Sequence, residues 1–307
     1  MRNRILLTCM LAAALAAGFL LWRLSTPTAN LGQAAYTHTA NILAFGPRPP
    51  ASDALSQVRA YLRKELEAIG WSTQPQAFDR ATPRGNIRFE NLRARFATHQ
   101  TDPWRSTPTA ILGAHVDSKW YPNQTFLGAD DAASACAAIL VIARELASKH
   151  PSQASQIELV FFDGEEAFGP SITAFDGLYG SRHYANLWRS SPSKPAFGII
   201  LDMIGHRKLH IALPSDTPDF LRTAVLDAAK QENASSQFSI APGPIIDDHT
   251  PLNLAGIPTV DIIGDFTRSG WWHTTADSIE LIDAKSLDLS IQVTLRTLLA
   301  QLNTARQ

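Results

Sequence analysis

Strand-length apolar runs alternate with helical stretches along most of this 307-residue chain. That order commits it to a mixed, largely parallel central sheet covered by helices on both faces. The apolar runs lie at 109–114, 156–162, 196–203 and 258–263. Apolar residues at helical spacing predict helices at 55–69, 132–146, near 179–188, at 218–231 and at 287–302, and period-two alternation predicts a strand at 87–97. The reading is a single α/β domain that opens helix then strand, with no Gly/Ser/Pro-rich linker to divide it.

The first thirty residues stand apart. Residues 5–22 are apolar, follow Met1-Arg2-Asn3-Arg4 and precede Arg23. Their length is just enough to span a bilayer, and cutting after Ala16 would leave an apolar stub. The expectation is therefore an N-terminal signal or membrane anchor over 1–30, uncleaved rather than cleaved, and an exported catalytic domain over 31–307, in a periplasm or a secretory lumen. Cys136 has no partner for a disulfide outside that segment. The formal net charge of −1 offers no basic surface, which argues against nucleic acid as a partner.

Ionisable residues gather at or just past the ends of the apolar runs: His115 and Asp117, Asp130 and Asp131, Glu165 and Glu166, Asp202, Asp247 and Asp248, and His273. In α/β folds the carboxyl edge of the sheet is where ligands bind. Two adjacent glutamates repel each other and persist most easily when a cation holds one and the other remains as a base. Asp202 sits in an otherwise apolar run, where an ionised carboxylate needs a partner or a metal. Asp131 opens a helix, where one aspartate serves as a cap and the second of the Asp130-Asp131 pair is free for another task. One Asp, one Glu and one His leave the open coordination position that catalytic zinc requires. Asp117 is placed to orient the His115 imidazole, Arg182 to anchor a loop, and His183 and His249 read as structural. The chain has no Gly-x-Ser-x-Gly elbow, phosphate-binding loop, dinucleotide fingerprint or Cys-x-x-Cys pair.

Taken in order, His115-Val-Asp-Ser, Gly128-Ala-Asp-Asp-Ala, Gly164-Glu-Glu, Leu201-Asp-Met-Ile-Gly and His273-Thr-Thr-Ala-Asp resemble the metal-site motifs of the zinc exopeptidase superfamily. Phe161-Phe-Asp-Gly-Glu-Glu-Ala-Phe168, Leu178-Tyr-Gly-Ser-Arg-His183, Asp247-Asp-His and Trp272-His273 resemble one branch, the animal-type glutaminyl-peptide cyclotransferases. The resemblance implies that Asp131, Glu166 and His273 bind one zinc, that Glu165 carries protons, that Asp202 and Asp247 form a hydrogen-bonded acidic pair, and that Trp272 lines the substrate pocket. It also implies a peptide or protein substrate with N-terminal glutamine, converted to pyroglutamate with release of ammonia. Two-zinc aminopeptidases use the same framework, with His115 and Asp202 completing a second site, and they stand as the alternative; a non-catalytic binding domain is a third reading. Asp247 favours the cyclase, because the aminopeptidases usually carry Ser or Thr there. The chain departs from the cyclase pattern in having no tryptophan within 167–175, Ile246 in place of a glutamine, and Ala114 where a cysteine would pair with Cys136.

Overall fold

The computed structural model describes residues 30–97, 102–268 and 270–305. Six strands make the main sheet: β1 (Trp71–Thr82), β2 (Gly85–Phe96), β3 (Ala110–His115), β4 (Ile157–Phe162), β5 (Phe197–Asp202) and, last in the chain, β8 (Thr259–Ile263). Their order is β1-β2-β4-β3-β5-β8. β1, β2 and β4 pair antiparallel, while β4, β3, β5 and β8 run parallel. A separate parallel pair joins β6 (Ile211–Leu213) to β7 (Phe238–Ile240).

Both faces of the parallel strands are covered, which is why these strands read as unbroken apolar runs. On one face Leu112, Ala114, Leu159, Phe161, Ile199 and Leu201 pack in the main core with the helices Leu31–Leu43, Asp53–Glu67, Ala135–Lys149 and Ala284–Thr304. Every residue from Ala135 to Ala143 is buried. On the other face Ile111, Val160, Phe162 and Ile200 meet Tyr184, Ala185 and Trp188 of the helix Tyr179–Arg189 and Leu252 of the helix His249–Leu254. The registers His115↔Phe162 and Asp202↔Ile263 bring the carboxyl ends of all four parallel strands to one edge.

The expected sheet and its strands are present; the β6–β7 pair and the helix His249–Leu254 are additions to the sequence reading, and other features differ from it. The domain opens on the helix Leu31–Leu43, ahead of the one foreseen at 55–69. β2 has a hairpin partner, β1, whose half-exposed, irregular burial pattern and Pro75 hide the strand periodicity. The helix predicted from 132 begins at Ala135, after a π-helical turn over Ala129–Ser134. Among the described residues no helix is long and apolar enough to cross a membrane. The anchor expected at 5–22 lies outside the described residues.

Candidate metal centre and active site

Every segment of the site leaves that one sheet edge. His115 ends β3, Glu165 and Glu166 follow β4, Asp202 ends β5, and His273 lies beyond β8. Asp131 sits in the π-helical turn, and its backbone (φ −106°, ψ 81°) is not helical, so it is no helix cap. Its oxygens face two imidazoles instead: Oδ1 lies 3.1 Å from His115 Nε2, and Oδ2 lies 3.4 Å from His273 Nε2. The turn is held by Asp277, whose carboxylate accepts from the N–H of Asp130 at 2.8 Å and of Asp131 at 3.2 Å. Asp130 points elsewhere, its Oδ1 accepting from Gly205 N at 2.7 Å.

A second device sits beneath. Arg48 is fully buried, and its guanidinium donates to the carbonyls of Val116 (2.9 Å), Gly128 (2.9 Å) and Leu127. It therefore ties the loop after His115 to the loop before Asp131 with charge-assisted bonds.

The glutamate loop is shaped by Asp117. Its carboxylate accepts from three successive N–H groups, Gly164 (2.9 Å), Glu165 (3.1 Å) and Glu166 (3.3 Å). Its nearest approach to His115 Nδ1, 3.6 Å, is too long for a hydrogen bond, so aiming Glu165 and Glu166 is its main task rather than orienting the imidazole. Gly164 is required at the bend: its φ is +74°, and a Cβ there would come within 2.4 Å of the Phe89 ring.

Glu166 places Oε1 3.1 Å from His273 Nε2 and Oε2 3.2 Å from Lys119 Nζ. Lys119, unnoticed in the sequence, is buried and also donates to Ala167 O at 2.8 Å, so it fixes one carboxylate oxygen and leaves the other toward His273. His273 adopts a left-handed φ of +58°, with Trp272 stacked on its ring at 4.0 Å and Phe126 edge-on at 5.9 Å. A non-glycine residue in that conformation carries strain that the surrounding packing must hold.

Two groups of donors meet at Asp131: His115, Asp131 and Asp202, and Asp131, Glu166 and His273. Within each, one ligand atom per residue lies within 4.8 Å of the others. Imidazole nitrogen and carboxylate oxygen are the donors that suit zinc, and three of them leave a position for substrate. Burial alone would raise the Asp131 pKa, but His115 and His273 outweigh it and hold the carboxyl below its usual range. Burial works to lower His273, and Asp131 and Glu166 overcome it, pushing the imidazole up to about 9. A metal at that nitrogen therefore competes with a tightly held proton.

Glu165, Asp202, Asp247 and Trp272 line the same cavity of about 340 Å³ as Asp131, Glu166 and His273. Burial, aided by the charge of Glu166, pushes Glu165 well above the usual glutamate range against the pull of His115. Burial raises Asp202 to about 8, and burial with Asp261 next in weight raises Asp247 strongly. The hydrogen bond expected between Asp202 and Asp247 is not made among the described residues. Asp202 Oδ1 instead lies 3.4 Å from His115 Nε2, and Asp247 accepts from its neighbour's N–H and donates its own to Thr250 Oγ1. Without a tryptophan in the loop after Glu166, Pro170, Ser171 and Ile172 form that wall. A larger cavity of about 710 Å³, walled by His206, Lys208 and Trp271, holds none of the metal donors. Chemistry is assigned where the donors converge. Arg182 donates to Ala174 O (2.8 Å) and Thr173 O (2.6 Å), His183 stacks on Phe78 at 4.0 Å, and the Cys136 thiol, in no disulfide, is buried and donates to His115 O at 3.0 Å.

A doubly covered sheet with overlapping Asp/Glu/His donor sets at its carboxyl edge defines the class of zinc exopeptidase-type proteins. Residues 94–298 match peptidase family M28, and the chain belongs to that family. It is 32% identical over 268 residues to the glutaminyl-peptide cyclotransferase-like protein of Mus musculus, an alignment that covers 75% of this chain and 66% of that one. It is 30% identical over 292 residues to the glutaminyl-peptide cyclotransferase of Gloydius blomhoffii, covering 78% and 74%. Its fold superposes on the crystal structure of a glutaminyl cyclase from an Acidobacteriales bacterium with a TM-score of 0.77 and 28% identity, covering 90% of this chain and 96% of the other.

Proposed function

We propose that this protein is a zinc-dependent glutaminyl-peptide cyclotransferase, which closes the N-terminal glutamine of peptides or proteins to pyroglutamate and releases ammonia. The observation that carries the reading is the joint lining of one small cavity by Asp131, Glu166, His273, Glu165, Asp247 and Trp272, in a chain whose relatives bear that enzyme's name.

Asp131, Glu166 and His273 would hold one zinc. When bound, zinc polarises the side-chain amide of the substrate and stabilises the charge that develops on its oxygen. The α-amine attacks its own side-chain carbonyl carbon, so both reacting groups arrive on one molecule and no water nucleophile is required. Glu165 accepts the amine proton as the new bond from the α-nitrogen to the side-chain carbonyl carbon forms, and returns it to the side-chain amide nitrogen as the original bond from that carbon to that nitrogen breaks and ammonia departs. A carboxylate whose pKa is raised by burial suits both transfers. Asp247 and Asp202 take up hydrogen bonds from the amine and hold it toward the carbonyl. Trp272, stacked on His273, covers the glutamine and excludes water.

The two-zinc aminopeptidase reading draws on the His115, Asp131 and Asp202 set, and it requires a water to attack the peptide bond. One assay divides the readings: a Gln-initiated and a Leu-initiated peptide are incubated with the purified protein, and ammonia, free amino acids and peptide mass are measured. Ammonia with no chain shortening is the expected result, and a free amino acid with a new, unblocked terminus would refute the cyclase. We further propose export of the domain, with residues 5–22 as its anchor; recovery of the full-length protein in the soluble fraction of cells would count against the anchor.

A further inference from the structure

We propose that an apolar groove continuous with the catalytic cavity binds the residues that follow the N-terminal glutamine, and that it selects an apolar side chain with an acidic residue beside it. The inference rests on the cyclase reading and names the substrate class for that same site.

The groove has a volume of about 370 Å³. Ile172 and Ile246 line both it and the catalytic cavity, so one surface runs from the zinc donors outward. One wall is the 172–174 loop, and the other carries Pro251 and Leu254. The loop wall is fixed, because Arg182 holds the carbonyls of Thr173 and Ala174 at 2.6 and 2.8 Å. Ile246 and Leu254 are 59% and 74% exposed, an apolar surface that water covers unless a ligand does.

The occupant follows from the chemistry. The α-amine and side chain of the glutamine must both reach the cavity, so the rest of the substrate leaves through its mouth. Nothing past the first carbonyl takes part in ring closure, which frees those residues to supply binding energy remote from the reaction. Arg182 and Arg189 are the charged residues on the groove, and Arg189, on the exposed end of the helix Tyr179–Arg189, has no acidic partner among the described residues. A carboxylate on the substrate completes it.

The test compares kcat/KM for glutaminamide, Gln-Ala-Ala-Ala, peptides with Leu placed singly at each later position, and peptides that add Asp or Lys next to the Leu. Leu at one position should raise kcat/KM about tenfold through KM, the worth of partly burying one aliphatic side chain. Asp beside it should add roughly two- to fivefold over Lys, as expected for an exposed ion pair. Leu254→Asp and Ala174→Glu should abolish the Leu gain while leaving glutaminamide turnover unchanged, and Arg189→Glu should invert the Asp-over-Lys preference. Equal kcat/KM across the series, or preferences that survive all three variants, would overturn the groove while glutaminamide cyclisation still upheld the cyclase. Absence of ammonia from every substrate, glutaminamide included, would instead overturn the cyclase reading and this inference with it.

Discussion

The two donor sets share Asp131 but differ in what surrounds them. Around Glu166 and His273 the site is open on one side: Lys119 occupies one glutamate oxygen, Trp272 lies on the imidazole, and the cavity begins at the other. Around His115 it is closed, and Asp202 alone joins that buried imidazole to the cavity, which it also lines. His115 does not reach the cavity, and Asp202 is pushed to about 8 by burial, where a proton competes with any metal at neutral pH. The same residue types at the same sheet edge are thus tuned differently. The set whose three members all line the cavity can bind metal and substrate together, whereas the pairing of buried His115 with a high-pKa Asp202 serves to hold protons and hydrogen bonds.

Removing members of each set breaks the comparison most sharply. Glu166→Ala or His273→Ala should lose bound zinc and reduce kcat/KM more than about a thousandfold. Asp202→Asn should keep one zinc per chain, and equal zinc loss from both sets would mean that they form one coupled cluster. Elemental analysis of dialysed protein reads the difference. Next in size, Glu165→Gln should retain the zinc and lose about a hundredfold to ten-thousandfold in kcat; loss of metal from this variant would show that the roles of the two glutamates are misassigned.

Beneath both sets, Arg48→Met removes the donors shared by three carbonyls and should cost about 3–5 kcal/mol, read as a lower denaturant midpoint. An unchanged midpoint would mean that the two loops hold their places without it. The smallest expected effect is on pH dependence. Asp130 and Asp202 are raised by burial to about 7 and about 8, far above the unfolded value near 4. The native state of the metal-free protein therefore binds these protons more tightly than the unfolded chain does. Their contribution is full below about pH 4 and is lost as pH rises through 7 and 8. Thermal scans of metal-free protein should show Tm falling by several degrees between about pH 5 and 8 and levelling off above it. A Tm that rises across that window would contradict the assignment.

The sequence discloses the donors better than what holds them. His115, Glu165, Glu166 and Asp202 could be found because each ends or follows an apolar run, and Asp131 and His273 because the motifs around them occur in a known order. Arg48 and Lys119 gave no such signal, since nothing in Gly46-Pro-Arg-Pro-Pro50 or Asp117-Ser-Lys119 says that a cation will be buried. Asp117 does lie 3.6 Å from the His115 imidazole, but its bonds to the glutamate loop were not foreseen: three consecutive backbone N–H groups are identical in every sequence, and only the bend at Gly164 turns them to one carboxylate. The hairpin strand β1 escaped for a related reason, because its exposed residues follow no burial pattern.

Ring closure, rather than peptide cleavage, is the central claim, and the fate of one nitrogen tests it most directly. A peptide whose N-terminal glutamine is isotopically labelled at the side-chain amide nitrogen is turned over by the zinc-loaded protein, and the label is followed. The account predicts that the label leaves as ammonia, one per peptide consumed, while the peptide keeps all its residues and loses its free amine. Label recovered in free glutamine, with a peptide one residue shorter, would contradict it.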